Sequence, residues 1–244
     1  AGAQPLEYII NPDVELFKEW QEASGGLIKL VTYAPEVEGA KELEKELEST
    51  NVVGTVGHSD AISSDFEGRN IFHATHLYNQ MRPMHHREAG TVGHVLLDDR
   101  VMVEMIPDGI HIHPDMVKLA YRLKGAKKIS VITDAMRAKG LEDGKYELGG
   151  QPVFVKDKSA RLEDGTLAGS ILKMDDAFRN IMAFTGCSPE EAVQMTSINQ
   201  AEEFGLEHKG ALQPGKDADF VQMTPDFFVI DTTRQGKNMN EVTL

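Results

Sequence analysis

Four residues able to bind a metal or move a proton fall at the ends of successive short apolar runs: His58 in TVGHSD, His76 in HATHLYN, His111 in PDGIHIHP and Asp134 in SVITDAM. Two neutral imidazoles offered by adjacent strands can hold a divalent metal, which lowers the pKa of a bound water to about 7. A strand-end carboxylate beside it can take the released proton, so the chemistry such a set suggests is hydrolysis. Each residue also has an ordinary use. A lone histidine near a strand end is commonly a hydrogen-bonded structural residue, and Asp134 could cap a helix. Coincidence across four strands is harder to sustain, and favours one shared site. Within FHATHLYNQM, residues three apart on a strand face opposite sides, so His73 and His76 cannot both line that site without a bulge. His76, nearer the carboxyl end and followed by polar Asn79, is the expected ligand; His73 is expected to be structural.

Residues at strand ends converge only if the strands run parallel, and the chain has the texture that produces this. Helical patterns at 13–23 and 38–48 alternate with strand-like runs from Leu27 and over 52–59. A polar helix around 61–68, a strand over 70–79, a run VMVEMIPDGIHI over 101–112, a helix beginning at Pro114 and a strand over 128–136 continue the cycle. Alternation at this spacing predicts βα units on a parallel sheet, whose strand carboxyl ends share one face. After Met136 the texture changes to Gly and Asp turns around short alternating strands between Tyr146 and Leu167, a small antiparallel module. Helices are expected at 172–184 and 189–197 and in TSINQAEEFGLE, and the C-terminal GALQPGKDADFVQMTPDFFVIDTTRQGK returns to β texture and is expected to pair with the small module. The divisions read as 1–140, barrel βα units; 141–168, small β module; 169–208, flanking helices; and 209–244, a return to the small β domain.

Composition narrows the partners. With 39 acidic against 25 basic residues and a formal charge of -14, most faces would repel nucleic acid and anionic membranes. No apolar run approaches the roughly 20 residues that span a bilayer. The single cysteine, Cys187, excludes an internal disulfide and a multi-cysteine zinc site and suits a reducing, cytoplasmic setting. The opening AGAQPLEYII has no initiator Met and reads as loop, as a fragment would begin. Against the acidic background, MRPMHHREAG concentrates Arg82, His85, His86 and Arg87. It is either a solvated loop or an anion clamp, since an arginine offers a planar fork of donors to a phosphate. GTLAGS, 165–170, is either a tight turn or a substrate-facing loop.

At these residues the chain resembles the N-acetylglucosamine-6-phosphate deacetylases of the amidohydrolase superfamily. The resemblance rests on VGHSD, ATHLYNQM with HHREAG, PDGIHIHP, VITDAMRAKG, DGTLAGSILKM and PGKDADFV, six segments in the family's order across almost the whole chain. It implies an α/β fold, the C-terminal part of a metal-dependent (β/α)8 TIM-type barrel with part of a small β-sandwich domain. It also implies a phosphorylated amino-sugar substrate, a divalent metal (Zn, Fe, Mn or Co) and a homodimer. By this resemblance His58 and His76 are metal ligands and Asp134 is the general base and acid. Asn79, Gln80 and Arg87 hold the sugar phosphate, His111 contacts substrate, and Leu167, Ala168 and Gly169 form a loop near the acetylated end. Members also carry an earlier region, with a His-x-His at the first strand and a glutamate ligand in a His-x-Glu-Gly-Pro segment. None of it is in this sequence, so roughly the first third of a typical member is expected to be missing and the chain alone could be inactive. Two alternatives remain: an amidohydrolase acting on a different amide, ring or ester, and a non-catalytic sugar-phosphate-binding module.

Overall fold

The computed structural model describes residues 1–241. Five short strands, β1 (Leu30–Tyr33), β2 (Val53–Val56), β3 (His73–Ala74), β4 (Met102–Met105) and β5 (Ile129–Val131), make one parallel sheet in strict sequence order. The pairings Leu30 with Val53, Val56 with Ala74, His73 with Met102 and Val103 with Ile129 fix the register. Parallel neighbours that never reverse order, each joined by a crossover, build the curving wall of a (β/α)8-type barrel and aim every strand's carboxyl end to the same side.

The crossovers are helical where the sequence supplies a stripe and a cap. In α1 (Val14–Ala23) the Asp13 carboxylate accepts from the backbone N–H of Glu15 and Leu16, satisfying two donors that the first turn leaves free. In α2 (Ala40–Ser49) the buried residues Ala40, Leu43 and Leu47 recur at helical spacing, and Leu47 is fully buried. Burying one such leucine contributes about 1.5–3 kcal/mol. Beyond α3 (Gly90–Leu97), α4 (Pro114–Lys124) starts with proline at its first position and buries Val117, Ala120 and Lys124. The Lys124 ammonium donates to the carbonyls of Val95 (3.1 Å) and Asp98 (2.6 Å), closing the end of α3 with a cation.

Two small antiparallel sheets follow. One is β6 (Gly144–Leu148), β7 (Gln151–Lys156) and β8 (Ser159–Arg161), with Val153, Val155 and Ala160 in a satellite core. After helices α5 (Met174–Thr185), α6 (Pro189–Val193) and α7 (Asn199–Glu203) comes the other, β9 (Phe220–Met223), β10 (Val229–Arg234) and β11 (Lys237–Asn238). The expected pairing of the C-terminal strands with the earlier module is therefore corrected. Among the described residues β6-β7-β8 and β11-β10-β9 are two separate sheets, with each central strand paired on both edges within its own.

Three barrel expectations also change. The helix expected over 61–68 is a single 3-10 turn at Ser63–Phe66. The strand expected over 70–79 pairs only at His73 and Ala74, because His76 (φ 30°), Tyr78 (φ 75°) and Gln80 (φ 47°) take left-handed conformations that no strand tolerates. The run 101–112 is strand only to Met105, so His111 lies on the loop beyond.

Candidate active site

A cavity of about 800 Å³ opens at the carboxyl ends of the strands, and His58, His76, His111 and Asp134 all line it. Three of the four owe their aim to the backbone. His58 (φ 47°), His76 (φ 30°) and Asp134 (φ 47°) each sit just past a strand in a left-handed conformation that side-chain-bearing residues rarely adopt. The turns are held from outside. Ser59 N–H donates to Gln80 O (2.9 Å), Arg82 N–H to Ser59 O (2.8 Å) and Ser170 N–H to Asp134 O (2.8 Å), so each turned segment is tied to its neighbour.

The two imidazoles meet at Nε2, 3.0 Å apart, with ring planes at 65°. Burial is the main reason the pKa of His58 falls to about 4, with His76 adding to it, and burial likewise lowers His76, so both rings are neutral near pH 7. Neutral rings with converging nitrogens are what a divalent cation needs. Two nitrogens of a tetrahedral shell with bonds of about 2.0–2.1 Å lie roughly 3.3–3.4 Å apart, slightly wider than this pair. Both Nδ1 atoms are buried without a hydrogen-bond partner among the described residues. The pair thus fits two positions of a metal's coordination shell. Among the described residues no group of three or more His, Cys, Asp and Glu gathers at one point, so the described residues offer this pair and no third such group beside it.

Asp134 is pushed above the ordinary carboxylate range by burial, against the pull of His111 and His58. A desolvated carboxylate with raised basicity suits proton transfer. His111 is fixed by Asp108, whose Oδ1 accepts from the backbone N–H of Ile110 (2.8 Å) and His111 (2.7 Å) and whose Oδ2 lies 2.6 Å from His111 Nδ1. Burial alone would raise Asp108, but these contacts with His111 outweigh it and its carboxyl falls below the usual range. The carboxylate therefore holds the proton on Nδ1 and leaves Nε2 as the ring's free nitrogen.

Of the remaining expected residues, Asn79, Gln80, Leu167 and Gly169 line the cavity. Asn79 Nδ2 donates to the carbonyls of His76 (3.1 Å) and Leu77 (3.2 Å), bracing the turn that carries His76. Gly169 (φ 67°) lies so close to the Asp134 strand end that an added Cβ would be 3.1 Å from Asp134 O. Two of the expected residues are not among those lining the cavity. Ala168 is fully buried in the satellite core, its N–H donating to Ala160 O, so it supports the loop and does not face the cavity. Arg87 does not line this cavity. Reciprocal backbone bonds between His85 and Glu88 fold the loop into a turn that exposes Arg87, whose Nη1 lies 2.7 Å from His86 Nε2.

Sequence reasoning missed two walls. The opening residues Gly2 to Pro5 line the cavity, fastened where Gln151 Nε2 donates to Ala3 O (2.7 Å), and no side-chain signal marks them. Arg161, at the end of β8, also lines it, with Nη1 donating to Gly165 O (2.8 Å). A lone arginine in a strand gives no such hint, although its neighbour in the fold is the GTLAGS loop.

The strand ends of this barrel wall carry two metal-competent histidines and an aspartate that share one cavity, and the model of the amidohydrolase family matches residues 31–239. The chain belongs to that family. It is 50% identical over 240 residues to an N-acetylglucosamine-6-phosphate deacetylase of Bacillus subtilis, covering 97% of this chain and 61% of that protein. Among solved structures it is similar to N-acetylglucosamine-6-phosphate deacetylase from Thermotoga maritima (TM-score 0.89, 39% identity, 97% of this chain, 65% of that one). It is also similar to a mutant of N-acetyl-D-glucosamine-6-phosphate deacetylase from Mycobacterium smegmatis in complex with N-acetyl-D-glucosamine-6-phosphate (TM-score 0.92, 33% identity, 97% and 64%). The chain thus spans somewhat under two thirds of the length of these relatives.

Proposed function

We propose that this chain carries the proton-transfer and part of the metal-binding apparatus of a hydrolase that converts N-acetylglucosamine 6-phosphate and water to glucosamine 6-phosphate and acetate. The observation that carries the reading is the convergence of His58 and His76 Nε2 at 3.0 Å in the cavity that Asp134 lines. Identity to relatives of that name supports the substrate class.

His58 and His76 would hold a divalent cation such as Zn, Fe, Mn or Co, and when bound it supplies Lewis-acid polarisation of the amide carbonyl and of the attacking water. The chain's own groups do the rest. Asp134 accepts a proton from the water as its oxygen attacks the carbonyl carbon, then returns it to the departing amine nitrogen as the C–N bond breaks. His111, braced by Asp108 through Nδ1, lines the cavity and contacts the substrate there. Asn79, Gln80, Leu167 and Gly169 shape the sugar's seat.

Arg87 belongs to the phosphate side of this reading and lies outside its own cavity, which fits a homodimer in which it serves a neighbouring subunit. A reducing, cytoplasmic setting rests on the lone cysteine, Cys187. Among the described residues no helix is long and apolar enough to cross a membrane. Acetate release on metal supplementation tests the reading: loss of turnover in Asp134→Asn supports it, and activity on the unphosphorylated sugar with no dependence on Arg87 favours a different amidohydrolase substrate. The gathering of only two ligands among the described residues favours, as a second reading, a non-catalytic sugar-phosphate-binding module. It predicts ligand affinity unchanged by chelation.

A further inference from the structure

Beneath the two histidines lies a buried pair that the proposed chemistry does not use. Thr75 Oγ1 donates to Glu104 Oε2 at 2.7 Å, and Leu77 N–H donates to the Glu104 carbonyl at 2.8 Å. Residue 104, on β4, therefore grips both chain neighbours of His76, one by side chain and one by backbone. His76 between them is held at φ 30°, a conformation that persists only where its surroundings impose it. Thr75 also reaches the other histidine. A Cβ on Gly57 would lie 2.0 Å from Thr75 Cγ2, so only glycine admits the threonine methyl there, and Gly57 immediately precedes His58. Inward strand positions of a barrel are ordinarily filled by apolar side chains, and a buried carboxylate is costly unless its oxygens are engaged. Both oxygens of Glu104 face the ligand-bearing strand: Oε2 meets Thr75, and Oε1 lies 3.9 Å from His73 Nε2.

We infer that Glu104 and Thr75 form a positioning pair, seated against Gly57, that sets the spacing and aim of His58 and His76. Thr75 reaches the cavity wall while Glu104 lies behind it, and the pair acts through the backbone turns that carry the two histidines. The inference rests on the reading of those histidines as metal ligands, and its test separates the two.

Zn²⁺ affinity of the full chain is measured by calorimetry beside its thermal midpoint, with ¹⁵N spectra of the imidazoles in the metal-free chain as a second readout. Glu104→Ala and Thr75→Val are expected to weaken Zn²⁺ binding about 10–100-fold, the usual cost of losing a group that orients a ligand. Both should shift the His58 and His76 nitrogens. Glu104→Gln, whose amide oxygen can still accept from Thr75, is expected to restore affinity and spectra, and the Glu104→Ala/Thr75→Val double variant should be no weaker than either single one. Should Glu104→Ala fail to fold, Thr75→Val and Glu104→Gln decide the matter. Wild-type affinity in Thr75→Val, with binding lost in His76→Ala, would overturn the positioning role and leave the ligands standing. Absence of rescue by Glu104→Gln, with affinity falling only in step with the thermal midpoint, would also overturn it. Undiminished binding in His76→Ala would remove the ligand reading itself.

Discussion

His73 and His76 stand three residues apart on one chain segment and live in opposite chemical worlds. His73 is buried and engaged: Nδ1 lies 2.7 Å from Thr55 Oγ1, and Nε2 faces Glu203 at 3.3 Å and Glu104 at 3.9 Å. Nδ1 is hydrogen-bonded to the threonine hydroxyl and Nε2 sits beside two carboxylates, so both ring nitrogens have polar neighbours within the core. His76 is partly buried, bent out of the strand, and its Nδ1 has no partner among the described residues while Nε2 meets another imidazole. A histidine with polar neighbours at both nitrogens suits a core, whereas two neutral rings that meet at Nε2 with unpartnered Nδ1 atoms suit a shared cation. The difference is made by the backbone turn after Ala74 more than by residue type.

Exchange of roles would break this comparison, and the widest gap is expected in metal affinity. His76→Ala should weaken Zn²⁺ binding at least about 100-fold, a ligand's loss exceeding the 10–100-fold typical of an orienting group. His73→Ala should leave that affinity near wild type, both read by calorimetry. Stability should show the reverse order. His73→Ala removes a buried partner from two carboxylates and a hydroxyl, and urea unfolding should show a loss of about 2–4 kcal/mol. His76→Ala should cost the metal-free chain under about 1 kcal/mol, since it breaks no hydrogen bond beyond the imidazole pair.

The pH dependence sharpens the contrast. His58 has its pKa lowered to about 4 in the folded chain, against 6.5 for the free side chain. Above pH 6.5 both folded and unfolded forms are neutral there and no penalty exists. As pH falls through the window from 6.5 to about 4, the unfolded chain takes up a proton that the folded chain resists, so stability drops. Urea midpoints of the metal-free chain should fall across that window, with a shallower fall in His58→Gln. The smallest effect belongs to the exposed loop. Arg87→Ala should change stability by less than about 0.5 kcal/mol while raising KM for the phosphorylated sugar more than it lowers kcat.

Much of this could be read from the residues. The βα alternation announced a parallel sheet, and the strand-end positions of His58, His76 and Asp134 pointed to one face, where all three now line a cavity. The separation of His73 from His76 was anticipated for a partly different reason: strand alternation predicted opposite faces, while the structure ends the strand at Ala74 and turns the chain. Left-handed conformations at histidine and aspartate have no sequence mark comparable to glycine's, so the turns were invisible. Arg87 was legible as a cation but its direction was not, because a reciprocal His85–Glu88 turn decides it. Thr75 and Gly57 looked like ordinary strand residues, and their contact exists only when β2 and β3 lie side by side.

The central claim is that Asp134 moves the proton in a site whose metal is held by His58 and His76. The most direct test is acetate release from N-acetylglucosamine 6-phosphate, with added Zn²⁺, by the longest polypeptide that carries these residues, compared with its Asp134→Asn variant. The account predicts a rate loss of about 10²–10⁴-fold with Zn²⁺ affinity largely kept, as befits loss of a general base and acid. An unchanged rate in Asp134→Asn would contradict it.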